Sequence, residues 1–148
     1  MKKIVFIGII LIFCFCSTSK KAVRTPLLNS QTFLLAEVST DKNYGFSEKK
    51  PIKVGGVDRQ EGPWNERRFL NALAGPNGEE ISYYRLGSCC PVKSKNGLNG
   101  IGALDIYRVT WDGSKDTVSL YINMYDYEEL KAPVGFTIKH KSPLKWWP

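Results

Sequence analysis

Ser82-Tyr83-Tyr84-Arg85-Leu86-Gly87-Ser88-Cys89-Cys90-Pro91 is the stretch on which the reading of the fold turns. Its aromatic head favours an extended backbone, and Gly87 and Pro91 punctuate it. The expectation is a strand over residues 80–86 running into a turn that carries two adjacent cysteines. A strand needs partners, and the segments after it supply them. Residues 104–111 read as one strand, and residues 117–125 as another, joined by an Asp-Gly-Ser-Lys-Asp hairpin loop. In the second, Val118, Leu120, Ile122 and Met124 alternate with Ser119, Tyr121, Asn123 and Tyr125. Period two puts the aliphatic set on one face, to lie against a helix, and leaves the polar and aromatic set at least partly wet.

The helix precedes the quoted stretch. Gly62-Pro63 opens it, because proline's preset φ suits a first helical position, with Asn65 as a competing cap. Phe69, Leu70, Leu73 and Ala74 form its apolar stripe, and Gly75-Pro76 ends it. A helix of about three turns is marginal alone and needs the sheet to pack on. Residues 31–39 and 52–54 read as further strands, the latter at an edge behind Pro51. Residues 40–51 read as a solvated loop, 91–102 as a long glycine-rich basic connection, 126–132 as a helical turn, and 133–138 as a last short strand. The sum is an α+β fold: a small antiparallel sheet with one main helix packed on one face.

The chain has 148 residues, enough for one domain with tails, and 43% of them are hydrophobic, which argues against global disorder. Met1-Lys2-Lys3 followed by the uncharged run of residues 4–16 has the form of a secretory signal. That run is too short to span a bilayer. Cys14 and Cys16 lie where a lipoprotein's acylated cysteine would lie, and Cys16 is the candidate lipidation site. Each has a phenylalanine before it where a small residue is usual. Cleavage after Ser19 is the rival, and would release a soluble periplasmic or secreted protein. The expected organisation is a signal segment over 1–16, a tether over 17–30, a domain over 31–139 and a basic, aromatic tail over 140–148. A lipidated chain would sit in the cell envelope with the membrane as its first partner.

Several stretches together carry a resemblance: Pro51-Ile-Lys-Val-Gly-Gly56, Asn65-Glu-Arg-Arg-Phe-Leu-Asn-Ala-Leu73, Gly75-Pro-Asn-Gly78, Tyr83-Tyr-Arg-Leu-Gly-Ser-Cys-Cys-Pro91, Leu120-Tyr-Ile-Asn-Met-Tyr-Asp126 and Leu130-Lys-Ala-Pro-Val-Gly-Phe136. Over residues 33–138 the chain resembles a family of small uncharacterised bacterial envelope lipoproteins. Such proteins sometimes bear the name 2-dehydro-3-deoxyphosphooctonate aldolase. A (β/α)8 barrel takes at least about 200 residues and eight strand–helix repeats. This chain is too short for one, and the resemblance brings no catalytic residues with it.

The site chemistry centres on Cys89 and Cys90. Export would place them where disulfides persist. Adjacent Cα atoms lie about 3.8 Å apart, below the usual disulfide span of about 4.4–6.8 Å, so a bridge between them would be a strained ring suited to redox switching or to a rigid ligand platform. Two free thiols, or a bridge to another chain, are the competing readings. No metal or other cofactor is expected: structural zinc wants four ligands, and the sole histidine, His140, reads as a solvated tail residue. The same lack of a base argues against a cysteine enzyme. Tyr83, Arg85, Tyr107, Trp111, Tyr121 and Tyr125 form a candidate ligand face for a glycan or an envelope protein. Simple cross-strand packing of the same rings competes with it. The net charge of +7 suits phosphate, lipid headgroups or an acidic polymer, or is surplus surface lysine. Nucleic acid is not expected for an exported chain. Trp146-Trp147 among lysines reads as a membrane-interface anchor or a disordered end.

Overall fold

A computed structural model describes residues 24–141. The signal segment, Cys16 and Trp146-Trp147 lie outside the described residues. In chain order the elements are β1 (Leu27–Asn29), β2 (Thr32–Phe33), β3 (Ile52–Lys53), a 3₁₀ turn (Val57–Arg59), α1 (Gly62–Leu70), β4 (Leu73–Ala74), β5 (Ile81–Leu98), β6 (Ile101–Trp111), β7 (Val118–Asn123), β8 (Thr137–Ile138) and a second 3₁₀ turn (Lys139–Lys141). The class is α+β. The main sheet has the order β3-β7-β6-β5, and β1-β2 and β4-β8 form two small antiparallel pairs. The sheet is mixed and not antiparallel throughout, because β3 runs parallel to β7, with Ile52 opposite Ile122.

Alternation in β7 holds as far as Ile122, but Asn123, expected to be partly wet, is buried. Leu120 and Ile122 are fully buried, and Ser119 and Tyr121 are half-buried. Their core partners come from β6, where Tyr107 faces Leu120 and Val109 faces Val118. The helix closes this face with Phe69 and Leu70, both without solvent exposure. Glu61 is the N-cap and makes no side-chain cap, and Pro63 sits in the first turn. Asn65, buried one turn in, donates to the Gly55 and Val54 carbonyls and ties the helix to the loop after β3.

The helix is shorter than its apolar stripe. Leu73 and Ala74 are buried, but as β4, paired with Ile138 and Thr137 of β8. Burial was readable at these positions and conformation was not. The expected strand over 31–39 contracts to Thr32–Phe33 and a bridge at Val38 with Ala132. Leu27–Asn29, assigned to the tether by sequence, pairs with that strand. Residues 126–132 form no helical turn; Tyr127 bridges Val54 and Ala132 bridges Val38. The last strand is only Thr137–Ile138. His140 is half-buried in the terminal 3₁₀ turn and not solvated.

The largest departure concerns the stretch that opened the sequence reading. The strand does not stop at the cysteines. It runs on as β5 to Leu98, returns through Asn99-Gly100, both at positive φ, and continues as β6. Two central residues with φ > 0 are the two-residue hairpin turn that Asn-Gly favours. The supposed basic connection is therefore half of a long β-ribbon. Pairing of β6 with β7 reaches only to Asp105, so residues 89–104 project beyond the sheet.

Gly56 secures the helix start. It has φ 113, and a Cβ there would lie 2.6 Å from Asn65 Nδ2 and 2.9 Å from the Glu61 and Gly62 backbone. We expect Gly56→Ala to cost about 1–3 kcal/mol, read as a lowered urea midpoint with unchanged slope.

Candidate functional site

Three irregularities interrupt the β5–β6 ladder, at Arg85/Gly87, Cys89/Pro91 and Lys93/Leu98, and the site is built from the first two. Arg85 pairs with Tyr107 and Gly87 with Ile106, which leaves Leu86 as an extra residue. In a regular strand, residues three apart face opposite ways. The extra residue turns Arg85 and Ser88 to the same side, where both meet the buried Asp105. Arg85 Nε donates to Asp105 Oδ2 at 2.6 Å and Nη2 to Oδ1 at 2.9 Å, while Ser88 Oγ donates to Oδ1 at 2.8 Å. This two-pronged contact is the strong form of a guanidinium–carboxylate pair. It raises the Arg85 pKa, first through the hydrogen bond to Asp105.

The second bulge is Cys90, unpaired between Cys89 opposite Leu104 and Pro91 opposite Ala103. Cys90 is left-handed at φ 52. Successive side chains of an extended strand point apart, so two neighbouring thiols cannot meet. The left-handed residue turns the second side chain back, and Cys89 and Cys90 are bonded to each other across a trans peptide, with Cα atoms 3.7 Å apart. Of the three readings open at the sequence level, the structure has the vicinal ring.

Beside the ring lies a shallow depression of about 460 Å³, lined in part by Pro91, Leu98, Ile101, Gly102 and Tyr125. Tyr125 lies on the Gly102 backbone; a Cβ there would be 2.5 Å from the ring. Glycine is needed for that close approach. The Tyr125 position is set by the preceding turn, where Asn123 Oδ1 accepts from the Tyr125 N–H at 2.8 Å and the Asp126 N–H at 3.1 Å. Asn96 Nδ2 donates to the Tyr125 carbonyl at 2.8 Å, and Ser94 Oγ donates to Asp126 Oδ1 at 2.7 Å. The outer part of the ribbon is thus held on both strands, at Ser94 and Asn96 of β5 and at Gly102 of β6.

The six residues of the expected ligand face do not share one face. Tyr83, Arg85, Tyr107 and Trp111 lie on the helix-covered side. There Tyr83 meets Tyr107 edge-on at 6.1 Å and donates to Asn71 Oδ1 at 2.8 Å, and Trp111 meets Phe136 at 5.5 Å. Tyr121 pairs with Ile106 on the opposite side, and Tyr125 stands past the end of β7. Register decides this, since directly paired residues share a face. Only Tyr125 joins the cysteine pair in one site. Sequence reasoning missed Leu98 and Ile101, although the Asn-Gly between them was the available signal. Glu66 was missed as well. No family model, curated protein or solved structure matches the chain.

Glu66 lies under this site. Its carboxyl is fully buried against β6, where Tyr107 Oη donates to Oε2 at 2.9 Å. Burial, and then the neighbouring Asp105 carboxylate, push its pKa up to about 8, against the partial offset from Tyr107 and Arg85. The folded protein therefore keeps this proton at neutral pH, while the unfolded chain releases it near 4.5. Between those values the unfolded state binds fewer protons, and stability falls with rising pH by at most about 1.4 kcal/mol per unit. Urea midpoints measured from pH 5 to 8 should show this slope in the wild type, and Glu66→Gln should flatten it and be the more stable protein at the alkaline end.

Proposed function

We propose that the chain is an exported domain, tethered at the cell envelope through its N-terminal segment, that binds a partner through the β5–β6 ribbon and performs no reaction. The observation that carries this is the vicinal ring on a strand bulge, set in an apolar depression on a ribbon that the sheet does not need. A bulge beside a site re-aims side chains and persists where it serves a purpose. The ring fixes Cys89 and Cys90 as a small rigid surface, and because their sulfurs are bonded to each other, neither is a thiolate nucleophile. The leader over residues 1–16, with Cys16 as its acylation site, and the resemblance to small envelope lipoproteins support the location. The aldolase name has no support from the fold, which has a single α-helix among the described residues. No helix among the described residues is long and apolar enough to cross a membrane.

A redox role for the pair is the second reading, favoured by the partial exposure of both cysteines. Partner binding before and after reductant, with intact mass confirming the reduction, separates the two. Both readings expect the gain of two hydrogens within one chain. Only the redox reading expects the reduced protein to lose its partner while Leu98 and Ile101 stay in place.

The binding surface itself is testable with an apolar fluorescent dye, anilinonaphthalene sulfonate. The oxidised protein should brighten it, and Leu98→Asp with Ile101→Asp should weaken dye binding about tenfold, as expected from losing one well-covered aliphatic contact. Near-UV circular dichroism of the variant should match the wild type. Unchanged dye binding in that variant would remove the ribbon as the binding surface.

A further inference from the structure

The ribbon's tip carries the most exposed large apolar side chain among the described residues. Leu98 is 84% exposed and Ile101 55% exposed, and they flank the Asn99-Gly100 turn. Behind them, Lys93 and Lys95 are exposed. From residue 81 to residue 104 the chain contains no aspartate or glutamate. The acid nearest in the contacts, Asp126, is occupied by Ser94 and by Asn123 Nδ2 at 3.0 Å. An apolar wedge behind which two lysines outnumber the one nearby carboxylate is complementary to a surface that is apolar inside and anionic at its rim. A second copy of this chain would bring like charges together across a symmetric contact.

Chain geometry points the same way. The described chain begins at Arg24, whose guanidinium stacks on Tyr127 at 5.3 Å, two residues from the Tyr125 that contacts the ribbon. β3 and β7 run parallel, and Val54 and Asn123 both end at that side of the sheet. The described chain therefore begins on the side of the sheet that bears the ribbon. Residues 17–23 can span at most roughly 25 Å. The ribbon beyond Asp105 extends roughly 15 Å at the rise of a β-strand. A membrane entered by the leader lies within the ribbon's reach.

We infer that the Leu98–Ile101 tip inserts into the headgroup region of an anionic lipid bilayer, with Lys93 and Lys95 at the phosphate level. This rests on the reading of the ribbon as the binding surface, and names its partner as lipid. Aliphatic burial and cationic attraction to the surface act together there, as they do for interfacial segments.

The test uses the full chain reconstituted into phosphatidylcholine vesicles with or without phosphatidylglycerol, and with nitroxide-labelled acyl chains as quenchers. Leu98→Trp places a reporter at the exposed tip, read as the emission it adds to wild type. In phosphatidylglycerol vesicles the added emission should shift blue and be quenched. Lys93→Ala with Lys95→Ala in that background should lower the inserted-to-free ratio about thirtyfold, the loss of two surface cations at about 1 kcal/mol each. Added emission that stays unquenched and identical in both vesicle types overturns the inference. If dye binding still depends on Leu98 and Ile101, the ribbon stands as a binding surface for something other than lipid. If dye binding is also independent of them, the underlying reading fails with it. Ribbon-dependent dimers without quenching would give the tip to a second copy and equally overturn it.

Discussion

The β5–β6 ladder is the constraint from which the rest follows. β6 pairs on both sides over its second half and only with β5 over its first. Its second half carries Tyr107 and Val109 into the core, and its first half leaves the sheet. Each extra residue in β5 resets which side chains share a face. The extra Leu86 brings Arg85 and Ser88 onto Asp105 together. The extra Cys90 lets a bond form that a regular strand forbids. A one-residue slip anywhere in this pairing would exchange the two faces and bury the wrong set, so the register is held by the hydrophobic pattern of β6 and β7.

The helix and the ribbon are coupled through that ladder. Glu66 reaches from α1 to Tyr107, Tyr107 pairs with Arg85, and Arg85 holds Asp105 beside Ser88, next to the ring. A charged carboxylate at the Glu66 position would face a second carboxylate in a buried setting. Isolated buried charge costs several kcal/mol, and the neutral form avoids it. The Asp105 charge is different in kind, because a bidentate guanidinium and a hydroxyl satisfy it. Burial thus favours the neutral form of one carboxyl, while the other is paired with a guanidinium and a hydroxyl on the same sheet face.

How much of this was legible differs by element. The helix, β6 and β7 were readable because periodicity and burial coincide there. Phe69, Leu70, Leu120 and Ile122 are the residues that made the pattern, and all four are fully buried. Leu73 and Ala74 show the limit: they are buried as predicted, yet as a strand, because pairing with β8 outweighs a weak helical preference at the end of a short helix. The ribbon was misread because lysine, serine and glycine dominate it, and composition there speaks for a loop. Its strand character comes from cross-strand pairing with β6, which no local propensity encodes. The ligand face failed for a related reason. Aromatic residues on neighbouring strands can be counted from sequence, but their faces depend on register, which pairs Tyr121 with Ile106 and so puts it opposite Tyr107.

The exposed tip is hard to explain as leftover. β5 is the edge strand of the main sheet, and an unguarded edge of this length would invite pairing with other chains. Along that edge the sequence places Pro91, two bulges and the cations Arg85, Lys93 and Lys95, each of which blunts strand addition. A chain that guards its edge so thoroughly and then leaves Leu98 almost fully exposed at the turn has not merely run out of core. Polar residues would suit a two-residue turn better if nothing but closure were required. The guarded edge and the bare tip together confine contact to the end of the ribbon, and direct it along the ribbon axis, away from the sheet. Such a surface favours a partner met end-on over one laid against the strand.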